Sequence, residues 1–400
     1  MRFPRLPAFA ALTVTALLLA SCDPHRNSTT PPTTTDPAAT APAAPVAGQS
    51  TEMDRLPAAL GASQQVVMTM LDPQSSDFDP DLKVLLGLVG GAQSLGPMGL
   101  GQGAQSVGRA VLGAFGVKVP VALRAQALTP VMETPLPTGT LTLTVSGEVT
   151  QSPEPTTGLV IDNRQTGVKL SVDWRQGGAQ TVWLEQESAY GLSRTELPTR
   201  AAASMTRAGK LVAEVQQSMT PGSCLSTGGP DAVTLAGWAG RETNAPVAAH
   251  LAYAWGAGGV QTSGDVTYRT RSRTASAAFN LNVAGTTTGR CDPASFSFTP
   301  AQADLSAQLS VPGHEFQAKG YLRDLKNVVI SHSELHSAQP FKSVSGRLNA
   351  SLTHQGKAAL TAFGELANGN ANPLPGDQVK VQYVQNGQLV TTSLEALLMH

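Results

Sequence analysis

Charge is scarce in this chain. Lys, Arg, Asp and Glu together make up 14% of its 400 residues and the formal net charge is −1, where an ordinary globular protein is about 25% charged. A near-neutral chain lacks the basic surface that holds phosphates, so no nucleic-acid partner is expected, and the shortage of Glu and Lys excludes a long coiled coil. Aromatic residues are only 5% and there are three Cys, too few for a small disulfide-built scaffold. No run of about 18 unbroken apolar residues occurs, so no membrane-spanning helix is expected. Catalytic signatures are missing too: there is no Gly-x-Ser-x-Gly elbow, Ser-x-x-Lys, P-loop or His-Glu-x-x-His, and no cofactor is expected. What the chain does have is 39 Gly, 28 Pro and abundant Thr, Ser and Ala, the material of strands and turns.

The N-terminus carries the sharpest local signal. Arg2 and Arg5 precede the apolar stretch Ala8 to Ala20, which Leu19-Ala20-Ser21-Cys22 closes. Such a stretch spans about 20 Å as a helix, short of a hydrocarbon core of about 30 Å, and reads as an export signal. The closing tetrapeptide resembles the lipobox of bacterial membrane lipoproteins. That resemblance covers residues 1–22. It implies a signal peptide over 1–21 and Cys22 as the first mature residue, carrying a diacylglyceryl group on sulfur and an acyl chain such as palmitate on its amine. It further implies a lipid anchor to a membrane of the cell envelope, outside the cytoplasm, with inner or outer membrane left open.

Once Cys22 is lipidated, Cys224 and Cys291 remain, and an even pair in an oxidising compartment is expected to form a disulfide. Its loop of 68 residues would stabilise the fold by roughly 4 kcal/mol in the chain-entropy model. Residues 22–51 hold Pro, Thr and Ala with almost no large apolar side chain. They read as a disordered tether that holds the folded part off the bilayer.

Residues 52–119 carry apolar spacings of three and four, as in Leu56, Leu60, Val67, Leu71 and then Leu82, Leu85, Leu86, Val89, which predict two or three short helices. The stretch Ser106 to Gly116 is apolar nearly all round, as in a buried helix or one that covers a lipid cavity. Residues 120–400 read as β. Thr140 to Val145, Val168 to Trp174, Val247 to Tyr253, Ala277 to Val283 and Val379 to Tyr383 alternate with period two. Turn signals at Arg175-Gln-Gly-Gly178, Ala208-Gly-Lys210, Gly256 to Gly259, Gln355-Gly-Lys357 and Asn386-Gly387 separate roughly 13 to 17 expected strands.

Glycine recurs inside those strand patterns, at Gly147, Gly237, Gly264, Gly346 and Gly364. Repeated strand glycines point to bends or close backbone approach, hence to a large curved antiparallel sheet or a barrel-like meander with a short helical subdomain before it. The pattern is similar to the curved sheets of envelope lipid carriers and lipoprotein-localisation proteins, although it is not specific enough to assign a family.

Three constellations could carry chemistry. His332, Glu334 and His336 would project from one face of a strand, two imidazoles and a carboxylate fit for zinc or another divalent metal. Arg269, Arg271 and Arg273 would likewise share a face, where guanidiniums could bind phosphate or another anion, or else form an exposed hairpin tip. Asp77, Asp79 and Asp81 alternate but lack the Gly and Glu of a calcium loop, so a helix start explains them better. The expected function is a non-catalytic binding or structural role in the envelope, with a lipid or other apolar ligand near Leu82 to Val117. The alternative is an envelope hydrolase or metal-dependent enzyme with a site near His332 and His336. Protein partners are not indicated.

Overall fold

The computed structural model describes residues 52–70, 72 and 74–81, then 131–136, 138–152, 157–188, 191–222, 230–240, 246–289, 297–326, 330–331, 345–367 and 378–394. Residues 1–51, to which the expected signal peptide, lipidated Cys22 and tether belong, residues 82–130, Cys224, Cys291, His332, Glu334 and His336 lie outside the described residues.

Among the described residues the protein is one helix followed by strands. The helix, α1, is Glu52–Met70. The first strands are β1 (Val131–Thr134), β2 (Gly139–Leu143), β3 (Val149–Ser152), β4 (Gly158–Asn163), β5 (Val168–Asp173), β6 (Thr181–Ser188) and β7 (Gly191–Pro198). The middle of the chain supplies β8 (Arg200–Arg207), β9 (Lys210–Thr220), β10 (Ala232–Ala239), β11 (Val247–Gly256), β12 (Gly259–Arg269), β13 (Thr274–Thr288) and β14 (Ser297–Val311). Then come β15 (His314–Lys326), β16 (Ile330–Ser331), β17 (Ser345–His354), β18 (Lys357–Ala367), β19 (Val379–Gln385) and β20 (Gln388–Ser393).

Sixteen strands form one large sheet. Their spatial order begins β3-β2-β4-β5, jumps to β8, runs through β15 in sequence order, and ends β17-β18-β19-β20. All neighbours are antiparallel except β2 and β4, which run parallel. The short β16 pairs with the start of β14. No described ladder joins β3 to β20, so the sheet is open and the barrel alternative falls. A separate three-stranded sheet, β1-β7-β6, leaves the main one between β5 and β8. Glu196 on β7 accepts from Thr181 Oγ1 of the neighbouring β6 at 2.5 Å and from the N–H of Leu136, between β1 and β2, at 3.0 Å. Burial pushes the Glu196 carboxyl up, but these bonds and the Arg175 guanidinium outweigh it and hold the group below its ordinary range.

Several connections form where backbone sterics demand them. Ala208-Gly209, Gln355-Gly356 and Asn386-Gly387 each hold two successive positive φ values, between 48° and 77°. That is the type I′ hairpin, whose twist matches the flanking strands. Strand glycines mark close approach. A Cβ on Gly264 would lie 2.7 Å from Phe279 Cε1, and one on Gly237 would lie 2.8 Å from the Glu214 carbonyl oxygen.

Residues directly opposite across an antiparallel ladder share a face. Val215, Gly237, Ala249, Val266, Ala277 and Leu309 therefore form one row from β9 to β14. Shifted by one residue, Gln216, Ala236, His250, Asp265, Ala278 and Gln308 form a row on the other side. The sheet thus has an apolar and a polar face. Helix α1 lies on the apolar face, with Leu56 and Ala59 against Phe316 of β15 and Met70 against Ala275 and Val311. Its length of about 28 Å roughly matches six strand spacings, so the helix crosses the strands near one rim instead of following them.

Candidate functional site

The chain from α1 to Asp81 is pinned along that rim. Tyr268 Oη donates to the Met70 carbonyl at 2.7 Å, satisfying an orphan acceptor at the end of α1. Asp77 Oδ2 accepts from Thr270 Oγ1 at 2.6 Å and from Ser272 Oγ at 2.8 Å, at the turn between β12 and β13. Those hydroxyls hold its carboxyl below the ordinary range. Phe78, 5% exposed, packs on Val212, Ala239, Val247 and Tyr268. Asp79 Oδ1 accepts from the Asp81 N–H at 2.9 Å, and Asp81 pairs with Arg207 at 3.1 Å. The three carboxylates therefore diverge into structural roles. Burial, with the charges of Asp77 and Asp79, pushes the Tyr268 phenol up to about 12.

Arg269, Arg271 and Arg273 do not share a strand face. β12 ends at Arg269 and the chain reverses, with the Thr270 N–H bonded to the Arg273 carbonyl at 2.8 Å. All three arginines are exposed. An acid of this chain, Asp77, is bonded to that turn through the hydroxyls of Thr270 and Ser272.

The sheet also bears on the expected disulfide. Thr220, four residues before Cys224, faces Ala232, and three further ladders carry that level to Asn282 on β13. Thr288, the last strand residue before Cys291, lies six residues beyond Asn282, about 20 Å along the strand. Three strand spacings across add about 14 Å, so Ala232 and Thr288 stand about 25 Å apart. A bridge would need both loops stretched towards each other, and the strand positions lend the pairing no support. For the metal reading, no group of three or more His, Cys, Asp or Glu converges among the described residues. His332, Glu334 and His336 fall outside them.

Two features were not singled out from sequence. The first is an apolar patch at the centre of the apolar face. Val215, Leu235, Leu251 and Val266 are 40%, 41%, 45% and 42% exposed. Leu235 and Leu251 are directly paired, while Val215 and Val266 occupy the adjoining row beside Gly237 and Ala249. Together they make a four-strand apolar floor about 14 Å wide. Phe78 and its neighbours bound the floor at the α1 rim; towards the opposite rim stand Trp255, Val260 and Phe298, buried together with Tyr253 and Val283 beside them.

The second is an aromatic cluster at the α1 rim. His314 Nδ1 and His354 Nε2 are 3.1 Å apart, and Phe316 stacks on His354 with ring centres 4.7 Å apart. Elsewhere, the shallow polar cleft lined by Thr157, Asp173, Arg175, Gln180 and Thr181 commits its carboxylate to structure. Asp173 Oδ1 accepts from Thr157 Oγ1 and from the Arg175 N–H. No family model, no curated protein and no solved structure matches this chain.

Proposed function

We propose that this is a lipid-anchored protein of the cell envelope that binds an apolar ligand without catalysis. The patch formed by Val215, Leu235, Leu251 and Val266 carries the reading. Four large apolar side chains at 40–45% exposure, contiguous across four strands, cost free energy in water that a bound apolar molecule recovers at roughly 25 cal/mol per Å² covered. The flanking clusters give the floor two walls, and its width suits one or two acyl chains lying across the strands. The lipobox at Cys22 and the Pro/Thr/Ala tether are consistent with a binding domain held close to a bilayer.

Native mass spectrometry of the mature chain, purified from membranes, tests both parts. An added diacylglyceryl mass at Cys22 supports the anchor. Co-purifying lipid that is lost in the Leu251→Arg variant, with the anchor mass retained, supports the site. Wild-type protein carrying no ligand, and binding no fluorescent fatty acid on titration, refutes the binding role. Equal binding by Leu251→Arg moves it off this face.

A further inference from the structure

The apolar floor has a low point built into it. On the face that carries α1, Gly237 of β10 and Ala249 of β11 sit side by side in register. Val215 of β9 and Val266 of β12 continue their row at either end. No larger residue fits at Gly237, because a Cβ there would lie 2.8 Å from the Glu214 carbonyl oxygen and 2.9 Å from Val215 Cγ2. Two residues along the strands on one side stand Leu235 and Leu251, directly paired. Two residues along on the other side stand Ala239 and Val247, with Phe78 packed against them. Ala249 is exposed, as are the four large side chains of the patch, so the depression opens to solvent.

Dimensions decide what the depression can hold. Rows two residues apart along a strand are about 7 Å apart, so the two flanking ridges stand about 14 Å apart. Branched side chains about 5 Å across leave roughly 9 Å between the ridges, and carbon atoms touch at about 4 Å. One hydrocarbon chain between two walls needs about 8 Å and fits, whereas two side by side need about 12 Å and do not. The whole floor measures about 14 Å by 14 Å, roughly 200 Å², against the roughly 800 Å² that each partner buries in a stable protein interface. Its area therefore suits a small molecule and not a second protein surface. Charge sets the other limit. Every second residue of β10 to β13 lies on this face, running Val233 to Ala239, Val247 to Trp255, Val260 to Tyr268 and Ala275 to Val283, and none of them is Lys, Arg, Asp or Glu. A carboxylate or phosphate laid on the floor would find no cation, so a charged headgroup has to project into water.

We propose that the depression at Gly237 and Ala249 takes one unbranched acyl chain lying across β9 to β12, and that the ligand is a single-chain lipid whose headgroup stays in solvent. The inference rests on the binding role proposed above and narrows it. The chain crosses Gly237 and Ala249 between the Leu235–Leu251 ridge and the Phe78 turn, and passes over Val215 and Val266 as it leaves. Those two valines are three strand spacings apart, about 14 Å, and an extended chain advances about 1.3 Å per carbon, so about eleven carbons are in contact. A diacyl lipid would leave its second chain in water. Ala249 sets the depth of the depression: it is small enough to keep the space open, and a larger side chain there would lie over Gly237 and fill it.

Titration calorimetry tests this on the delipidated mature chain carrying Cys22→Ser, so that no anchor lipid competes. The probes are saturated fatty acids of eight, ten and twelve carbons and the lysophosphatidylcholine with a twelve-carbon chain. Affinity should rise about twofold per carbon, since a methylene covered on one side recovers about half of what full burial gives. The two twelve-carbon probes should bind one per protein, with affinities within about threefold of each other, because the headgroup is not read. Ala249→Phe should weaken every probe by about tenfold or more, while Ala236→Phe, on the exposed opposite face of β10, should change them by less than about twofold. Binding that Leu251→Arg abolishes but Ala249→Phe leaves intact keeps the binding role and overturns this placement of the chain. A larger headgroup preference, which needs no variant to measure, overturns the single-chain reading, as do two probes bound per protein. A dimer that Ala249→Phe dissolves overturns it in favour of a second copy on the floor. No binding of any probe refutes the binding role itself, and this inference with it.

Discussion

Phe78→Ala is the most direct probe of how the chain after α1 is fastened to the sheet. The ring is 5% exposed and fills the space between Val212, itself 3% exposed, and Ala239, Val247 and Tyr268. Truncating a buried Phe costs about 3–5 kcal/mol, and the spread depends on how far the site collapses. Phe78 sits on a turn whose backbone can follow, so the lower end, about 3 kcal/mol, is expected. Urea unfolding monitored by circular dichroism measures it. With a slope of about 3 kcal/mol per molar, the midpoint should fall by about 1 M at unchanged slope. Asp77 lies one residue away and is bonded to Thr270 and Ser272, so the two side chains fasten one turn. Phe78→Ala combined with Asp77→Ala should therefore destabilise by less than the sum of the single changes. A loss under about 1 kcal/mol for Phe78→Ala, or strict additivity with Asp77→Ala, would refute the view that this turn closes the rim as a unit.

Two further outcomes follow from named contacts. Tyr268 has its phenol raised to about 12, above about 10 in the unfolded chain. Its contribution is thus fully present below pH 10 and is lost as pH rises towards 12, because the unfolded state ionises first. Phenolate absorbance should show one Tyr titrating late, a component missing from Tyr268→Phe; its persistence there would assign the late phenol elsewhere. Gly264→Val should cost about 2–3 kcal/mol by overpacking, since a Cβ there meets Phe279 at 2.7 Å and the His250 carbonyl at 3.2 Å. Gly258→Ala, with nothing within 4 Å, should change the thermal midpoint negligibly, and equal effects at the two sites would contradict the close-approach argument.

Much of the β architecture was legible because its determinants are local. The alternating runs at 140–145, 168–174, 247–253, 277–283 and 379–383 correspond to β2, β5, β11, β13 and β19. Period two follows from the pleat wherever one face is buried. The turn signals at Ala208-Gly209, Gly256 to Gly259, Gln355-Gly356 and Asn386-Gly387 form hairpins, whereas Arg175 to Gly178 leads from β5 into the separate three-stranded sheet. Helix α1 was legible from its apolar spacing. The low charge also finds its place: rows such as Gln216, His250, Asp265 and Gln308 cover the polar face with few ions, and the opposite face carries almost none.

The candidate sites were not legible in the same way. Arg269, Arg271 and Arg273 alternate as a strand face would, yet the chain turns inside the pattern, because Thr270 and Ser272 bond to Asp77 from 193 and 195 residues away. Neither His314 nor His354 belongs to a motif. They meet because β15 and β17 are neighbours in a register that sets Phe316 opposite His354. Likewise Leu235 and Leu251 are ordinary strand residues until the ladder pairs them and α1, resting on β13 to β15 and on β17 to β19, leaves them in solvent. The sequence by itself determined which residues lie in strands, where the chain reverses and which side chains alternate, since sterics within a few residues decide those. Only the tertiary structure decided which strands are neighbours, that the sheet stays open, and which part of its apolar face the helix covers. Those choices depend on pairings between residues far apart in sequence, to which local periodicity is blind.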